Sequence, residues 1–129
     1  INLLQTAAST TDHITEKDIY VVSNSAQPQD ILNLIEACLS KDFLKARTTL
    51  ETLLFDHGLS GEDIISHIYK KIIAYPEDKI PIDKKLKIID KIAEFNYRLV
   101  QGANDRIQLE ALLSQIILIV QFIKRFIRN

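Results

Sequence analysis

The chain holds no tryptophan and no methionine, and only one cysteine, three glycines and three prolines among 129 residues. So few backbone breakers exclude an all-β fold, which would need a turn every ten residues or so. A lone cysteine, Cys38, excludes an internal disulfide framework and fits a reducing, cytosolic setting. The formal net charge of -1 gives no basic field to draw the chain onto nucleic acid or an anionic membrane. Long apolar runs are missing too: the longest near the end is Ile116 to Val120, bounded by Gln115 and Gln121, whereas a spanning helix takes ~20 residues. No signal-like segment opens the chain, because Ile1 to Ala8 gives way at once to Ser9, Thr10, Thr11 and Asp12. The expected location is the cytoplasm, or the nucleus for a eukaryotic source. Position 1 is not methionine, and "INLLQTAAS" reads as the later turns of a helix without a cap, so a piece of a longer protein is expected.

Chemistry-bearing patterns are equally scarce. Gly58, Gly61 and Gly102 form neither G-x-x-x-x-G-K nor G-x-G-x-x-G, so no phosphate cradle is expected. His13, His57 and His67 lack metal-ligand spacing with one another or with Cys38, and nothing pairs Cys38 with a base. The sequence therefore predicts no catalytic residue, metal site or cofactor within these 129 residues.

What is abundant is apolar side chains, 47% of the chain, set at helical spacing. "TEKD", Thr15 to Asp18, has capping-box spacing before Ile19, Val21 and Val22. "NSAQPQ", Asn24 to Gln29, is a polar linker with a proline, and predicts a boundary between units 1–24 and 25–129. Asp30 then opens a helix with Ile31, Leu34, Ile35, Cys38 and Leu39 in one stripe. A second helix carries Phe43, Ala46, Leu50, Leu53 and Leu54, stopped by Gly58, and a third starts between Ser60 and Asp63 with Ile64, Ile65, Ile68 and Ile72 inward. The tight connection predicts that these two are antiparallel neighbours. Pro81 suits the start of a long helix to about Gln101, with Ile82, Leu86, Ile89, Ala93 and Val100 as its core face and Ile88, Ile92, Phe95 and Leu99 widening it. Asn96 falls on that core stripe, where an amide must find partners and can fix register across a contact. Gly102 ends the helix and Asn104 or Asp105 caps the last one. That helix is apolar nearly all round: Leu109, Leu112, Leu113, Ile116, Val120 and Ile123 make one face, widened by Ile119, Phe122 and Phe126. Burial on two sides is expected, as a central bundle helix or a contact between chains. The fold class is all-α: a five-helix bundle after the linker, preceded by one to two helices of another unit.

"EFNYRLVQGANDRIQLEALL", Glu94 to Leu113, resembles the C-terminal signature of the small subunit of replication factor C, the sliding-clamp loader of archaea and eukaryotes. "DFLKARTTLETLLFDHGLSGEDII" resembles the helical hairpin upstream in that family, and "INLLQTAASTTDHITEKDIYVV" resembles the end of its AAA+ lid domain. The likeness runs through nearly the whole chain and is closest to the archaeal type, departing at Asn96, Gln101 and Asp105 and in an unusually apolar tail. It implies that residues 1–24 end a lid domain and that 25–129 form the collar through which subunits assemble into a ring. It further implies ATP and Mg in the full-length protein, bound by motifs ahead of Ile1. The implied partners are other small subunits, a large subunit, the sliding clamp and primed DNA, with no membrane. The linker Asn24 to Gln29 would then be a hinge between lid and collar. Candidate residues for contacts between subunits are Asn96, Arg98, Asn104, Arg106, Gln108 and Glu110 from the signature, with Gly102 shaping the junction, and Ile116, Ile119, Phe122 and Ile123 from the last helix. Two other readings stand beside this one. The last helix could serve an adaptor that binds a partner helix, or the run Lys84, Lys85, Lys87 and Lys91 could serve a small nucleic-acid module, although Asp83 and Asp90 interrupt it.

Overall fold

The computed structural model describes the backbone from Pro28 to Arg128 and the side chains from Gln29 to Gln121. The opening helix, the capping box at Thr15 to Asp18 and the boundary at residues 24 and 25 lie outside the described residues. Five α-helices follow one another: α1 (Pro28–Leu39), α2 (Phe43–Glu51), α3 (Gly61–Ala74), α4 (Ile82–Val100) and α5 (Asp105–Arg128). No strand occurs among the described residues. The all-α expectation holds, and α5 is the central helix, packed against each of the other four.

Most elements start and stop for local reasons the sequence displays. α1 begins at Pro28, two residues before Asp30, because a proline costs nothing in a first turn whose N–H has no partner anyway. The Asp42 carboxylate accepts from the Lys45 N–H at 3.1 Å to cap α2. Ser60 Oγ accepts from the Asp63 N–H at 3.1 Å at the start of α3, and Asn104 Oδ1 from the Ile107 N–H at 2.9 Å at the start of α5. Gly102, at φ 93°, turns the chain from α4 into α5 in a conformation that L side chains rarely adopt.

Three features differ from expectation. First, α2 does not run to Gly58; Thr52–Asp56 is a π-helical turn. Its wider ring is closed by the His57 N–H donating to the Thr52 carbonyl at 3.1 Å. Thr48, Thr49 and Thr52 each donate a hydroxyl to the carbonyl four residues back, which loosens the α-helical ladder just before it widens. Second, α2 and α3 are not a packed pair: each lies instead against α1 and α5. The extra π residue, Gly58 at φ 67° and the buried Leu59 turn the chain away before α3 begins. Third, the two apolar faces of α4 are exchanged. Ile88, Ile92, Phe95 and Leu99 are the core face, whereas Ile82, Leu86 and Val100 are 54%, 59% and 56% exposed.

One continuous core fills the bundle. Ile31, Leu34, Ile35 and Cys38 of α1 meet Ala46 and Leu50 of α2, Ile64, Ile65, Ile68 and Ile72 of α3, and Leu109, Leu112, Leu113 and Ile116 of α5. Ile80, in the loop between α3 and α4, is wholly buried as well. Each buried Leu or Ile contributes roughly 1.5–3 kcal/mol on leaving water, so the bundle rests on this cluster rather than on surface ion pairs.

Candidate functional site

Two surface regions gather the residues that the signature singles out. The first lies where α2 and its π-helical turn meet α5. Glu110 Oε2 accepts from Arg47 Nε and from Arg106 Nε, both at 3.0 Å. Arg106 reaches Glu51 at 3.3 Å and lies over the Phe55 ring, 5.7 Å from its centroid. Partial burial raises the Glu110 carboxyl, but the hydrogen bonds and charges of Arg106 and Arg47 more than reverse this and hold it below its ordinary value. Arg106 is raised by its hydrogen bond to Glu110. Arg106 and Glu110 thus fasten α5 to α2 within one chain. Phe55 is 64% exposed beside them, in a conformation the π-helical turn provides. Neither Arg47 nor Glu51 stood out in the sequence; only the fold brings them to the α5 signature.

The α4–α5 junction carries the rest of the signature. Arg98 pairs with Glu94 at 2.8 Å and lies 5.0 Å from the Phe95 ring centroid, all on one helix. Asn104 is spent as the α5 cap. Asp105 Oδ2 accepts from the Gly61 N–H at 2.9 Å, so one carboxylate of α5 tethers the first turn of α3. Gln108 is half-buried, and its Oε1 has no hydrogen-bond partner within the chain.

The second region is the outer face of α4 with the adjoining side of α3. A cavity of about 420 Å³ lies between them, its mouth lined by Tyr69 and Lys70 of α3 and by Ile89, Ala93 and Asn96 of α4. Tyr69 and Ile73 are 43% and 45% exposed and extend the apolar surface along α3. Asn96 is exposed here, not a core amide, because the stripe it shares with Ile89, Ala93 and Val100 faces outward.

Of the four apolar α5 residues singled out as contact candidates, the two whose side chains are described face the bundle. Ile116 is 1% exposed and packed in the bundle's own core, so it offers nothing to a second chain. Ile119 is half-buried against that core. The side chains of Phe122 and Ile123 lie outside the described residues.

The basic run of α4 is largely engaged within the chain. Lys85 Nζ donates to the carbonyls of Ile73 at 3.2 Å and Tyr75 at 2.6 Å, capping the end of α3. Lys91 lies 3.6 Å from Glu94, and Lys84 3.8 Å from Asp83. Among the described residues, no three His, Cys, Asp or Glu side chains assemble a metal site, and no helix is long and apolar enough to cross a membrane.

The family profile described as "Replication factor C C-terminal domain" matches residues 26–115, from the start of α1 to the middle of α5. The chain belongs to the replication factor C family. It is 45% identical over 115 residues to a replication factor C small subunit of Thermococcus kodakarensis, covering 89% of this chain and 13% of that protein. It is 44% identical over 119 residues to the small subunit of Pyrococcus furiosus, covering 92% of this chain and 14% of that one. Against the small subunit of Methanococcus maripaludis it is 39% identical over 115 residues, covering 89% of this chain and 36% of the relative. The chain therefore corresponds to a minor part of each relative's length, and that part is the C-terminal domain of replication factor C. The α4–α5 junction and the Arg106–Glu110 pair lie within the matched span.

Proposed function

We propose that this chain is the collar of a clamp-loader small subunit. The observation that carries the reading is the match of α1 to mid-α5 to the C-terminal domain of replication factor C, in a bundle that leaves an apolar face of its longest fully described helix uncovered. A collar acts through geometry. Joining several subunits through one bundle each keeps their remaining domains at high effective concentration, so that a group from one subunit can complete a site on the next. In the full-length protein this assembly serves the ATP-dependent loading of a sliding clamp onto primed DNA, together with further small subunits and a large subunit. The full-length protein would bind ATP and Mg through domains other than this one.

The test is made on the full-length protein, with and without residues 28–129. The shortened protein should still bind ATP and should lose both its assembled mass and clamp loading onto primed DNA. Clamp loading that persists without this domain contradicts the proposal.

A further inference from the structure

The cavity of about 420 Å³ between α3 and α4 has an apolar interior and a polar rim. Its size falls at the lower end of the ~300–1,000 Å³ of ligand pockets, so it has room for a side chain or two and none for a helix. Ile65 and Ile92, 1% and 5% exposed, line it from the core, and Ala93 brings only a methyl group to its α4 wall. An apolar side chain entering here meets the core directly. Ile82, Leu86 and Val100, which continue the outer seam of α4, lie outside it.

The rim carries charge of one sign. Lys70 is the single charged residue of the lining; Glu62 and Asp63 of α3 and Asp90 and Glu94 of α4 stand outside it, and Glu94 is already paired with Lys91 and Arg98. Among the described residues, Lys70 has no acidic partner, and the Asn96 amide and the Tyr69 hydroxyl have no hydrogen-bond partner. A carboxylate complements the Lys70 ammonium. The Asn96 amide, donor and acceptor at once, matches a peptide group. What fits is a large apolar side chain followed by an acid, on an extended backbone whose N–H and C=O are free.

This chain has no such segment to offer. Each of its large apolar residues directly followed by Asp or Glu lies in a helix, Phe55–Asp56 and Ile82–Asp83 being the exposed pairs. In a helix the backbone N–H, the C=O or both are already bonded. The segment therefore comes from another protein.

We infer that the groove between α3 and α4 docks an extended segment of a different protein, in which a large apolar anchor is followed by an acidic residue. The anchor enters between Ile65 and Ala93, the acid pairs with Lys70, and the backbone meets Asn96. The inference goes beyond the collar reading and does not rest on it, since the groove leaves the outer seam of α4 free.

Fluorescence anisotropy tests it, with the 129-residue chain and a fluorescein-labelled peptide, Gly-Ser-Gly-Phe-Glu-Gly-Ser-Gly, beside the same peptide with lysine in place of glutamate. The glutamate peptide should bind at least about tenfold more tightly than the lysine peptide, and Lys70→Glu should reverse that order. Ala93→Leu, which fills the groove, should abolish binding of both, with the circular dichroism of each variant unchanged. No binding at about 1 mM chain, equal binding of the two peptides, or binding that survives Ala93→Leu overturns the inference. Displacement of the glutamate peptide by an equal concentration of 3-phenylpropionate makes this a small-anion site and overturns the peptide as occupant. Loss of self-association in Lys70→Glu by sedimentation velocity, with no peptide bound by the native chain, gives the groove to a second copy and overturns the inference as well.

Discussion

Asp105 serves two helices at once: it stands in the first turn of α5 and accepts the Gly61 N–H that opens α3. The approach is so close that a Cβ on Gly61 would lie 2.8 Å from Asp105 Cγ. Gly61→Ala should therefore lower stability by roughly 1–3 kcal/mol, as overpacking does, read as a lower urea midpoint with an unchanged slope. The reason is absent from the sequence, where Gly61 is simply the residue after a cap, 44 positions from its partner. The Glu110 carboxyl gives a second prediction. Its folded-state pKa is depressed, so the stability it confers is present above the ordinary carboxylate range and is lost as pH falls through the folded value. Glu110→Gln should cost on the order of 1 kcal/mol at neutral pH. Denaturation of native and variant chains should converge as pH drops below about 4. His67 acts in the same direction. Burial and Lys70 lower its pKa against the opposing pull of Asp63, so the fold favours the neutral ring and loses stability as pH falls below the ordinary histidine value. Cys38 is fully buried and burial pushes its thiol up to about 12. It should react with a thiol reagent at neutral pH only as fast as the bundle unfolds, whereas labelling at the rate of a free thiol would contradict the core placement.

At the scale of the element, α4 is the informative helix because it is apolar on two sides. Ile88→Ala or Phe95→Ala should cost roughly 2–5 kcal/mol by opening a cavity. Ile82→Ala or Leu86→Ala, on the outer seam, should cost the single chain under about 1 kcal/mol. Thermal melts of the four variants at low concentration separate the faces. Periodicity revealed both stripes, yet nothing in α4 itself says which one faces the bundle; the stricter stripe reads as core, and the fold turns it outward. That exchange also moved Asn96 from a buried amide to an exposed seam position. The stripes of α1 and α3 were legible because polar residues flank each of them and leave a single choice. Capping was legible too, since Ser60, Asn104 and Gly102 act within three residues of their own helix. The π-helical turn was not, because Thr48, Thr49 and Thr52 compete with the backbone only once a helix has formed. The burial of Ile80, in the loop between α3 and α4, was not legible because its partners come from distant elements. Of the signature residues, Asn104, Arg106 and Glu110 had visible spacing, but their partners Arg47, Glu51 and Phe55 come from another element, and Ile116 could be assigned to the core only once its neighbours were in place.

At the scale of the whole molecule, the bundle is complete around its core and incomplete at its surface. Its buried residues are apolar throughout the described part, so folding needs no partner charge to satisfy an internal one. Among the described residues, an apolar stripe on α4 beside a groove stays exposed, a kind of surface that marks interaction sites when it is large. Membership in the replication factor C family and this open face both support the proposed role as a domain that holds copies together. The most direct measurement is the absolute mass of the 129-residue chain by light scattering across a range of concentrations, taken beside its melting temperature, for the native chain, Leu86→Glu and Ile88→Glu. A native oligomer is expected. Leu86→Glu should reduce it to monomers that melt within a few degrees of the dissociated native chain, and Ile88→Glu should instead lose the fold. A native chain that is monomeric throughout, or a Leu86→Glu variant that assembles as the native chain does, would contradict the claim that the outer face of α4 holds the copies together.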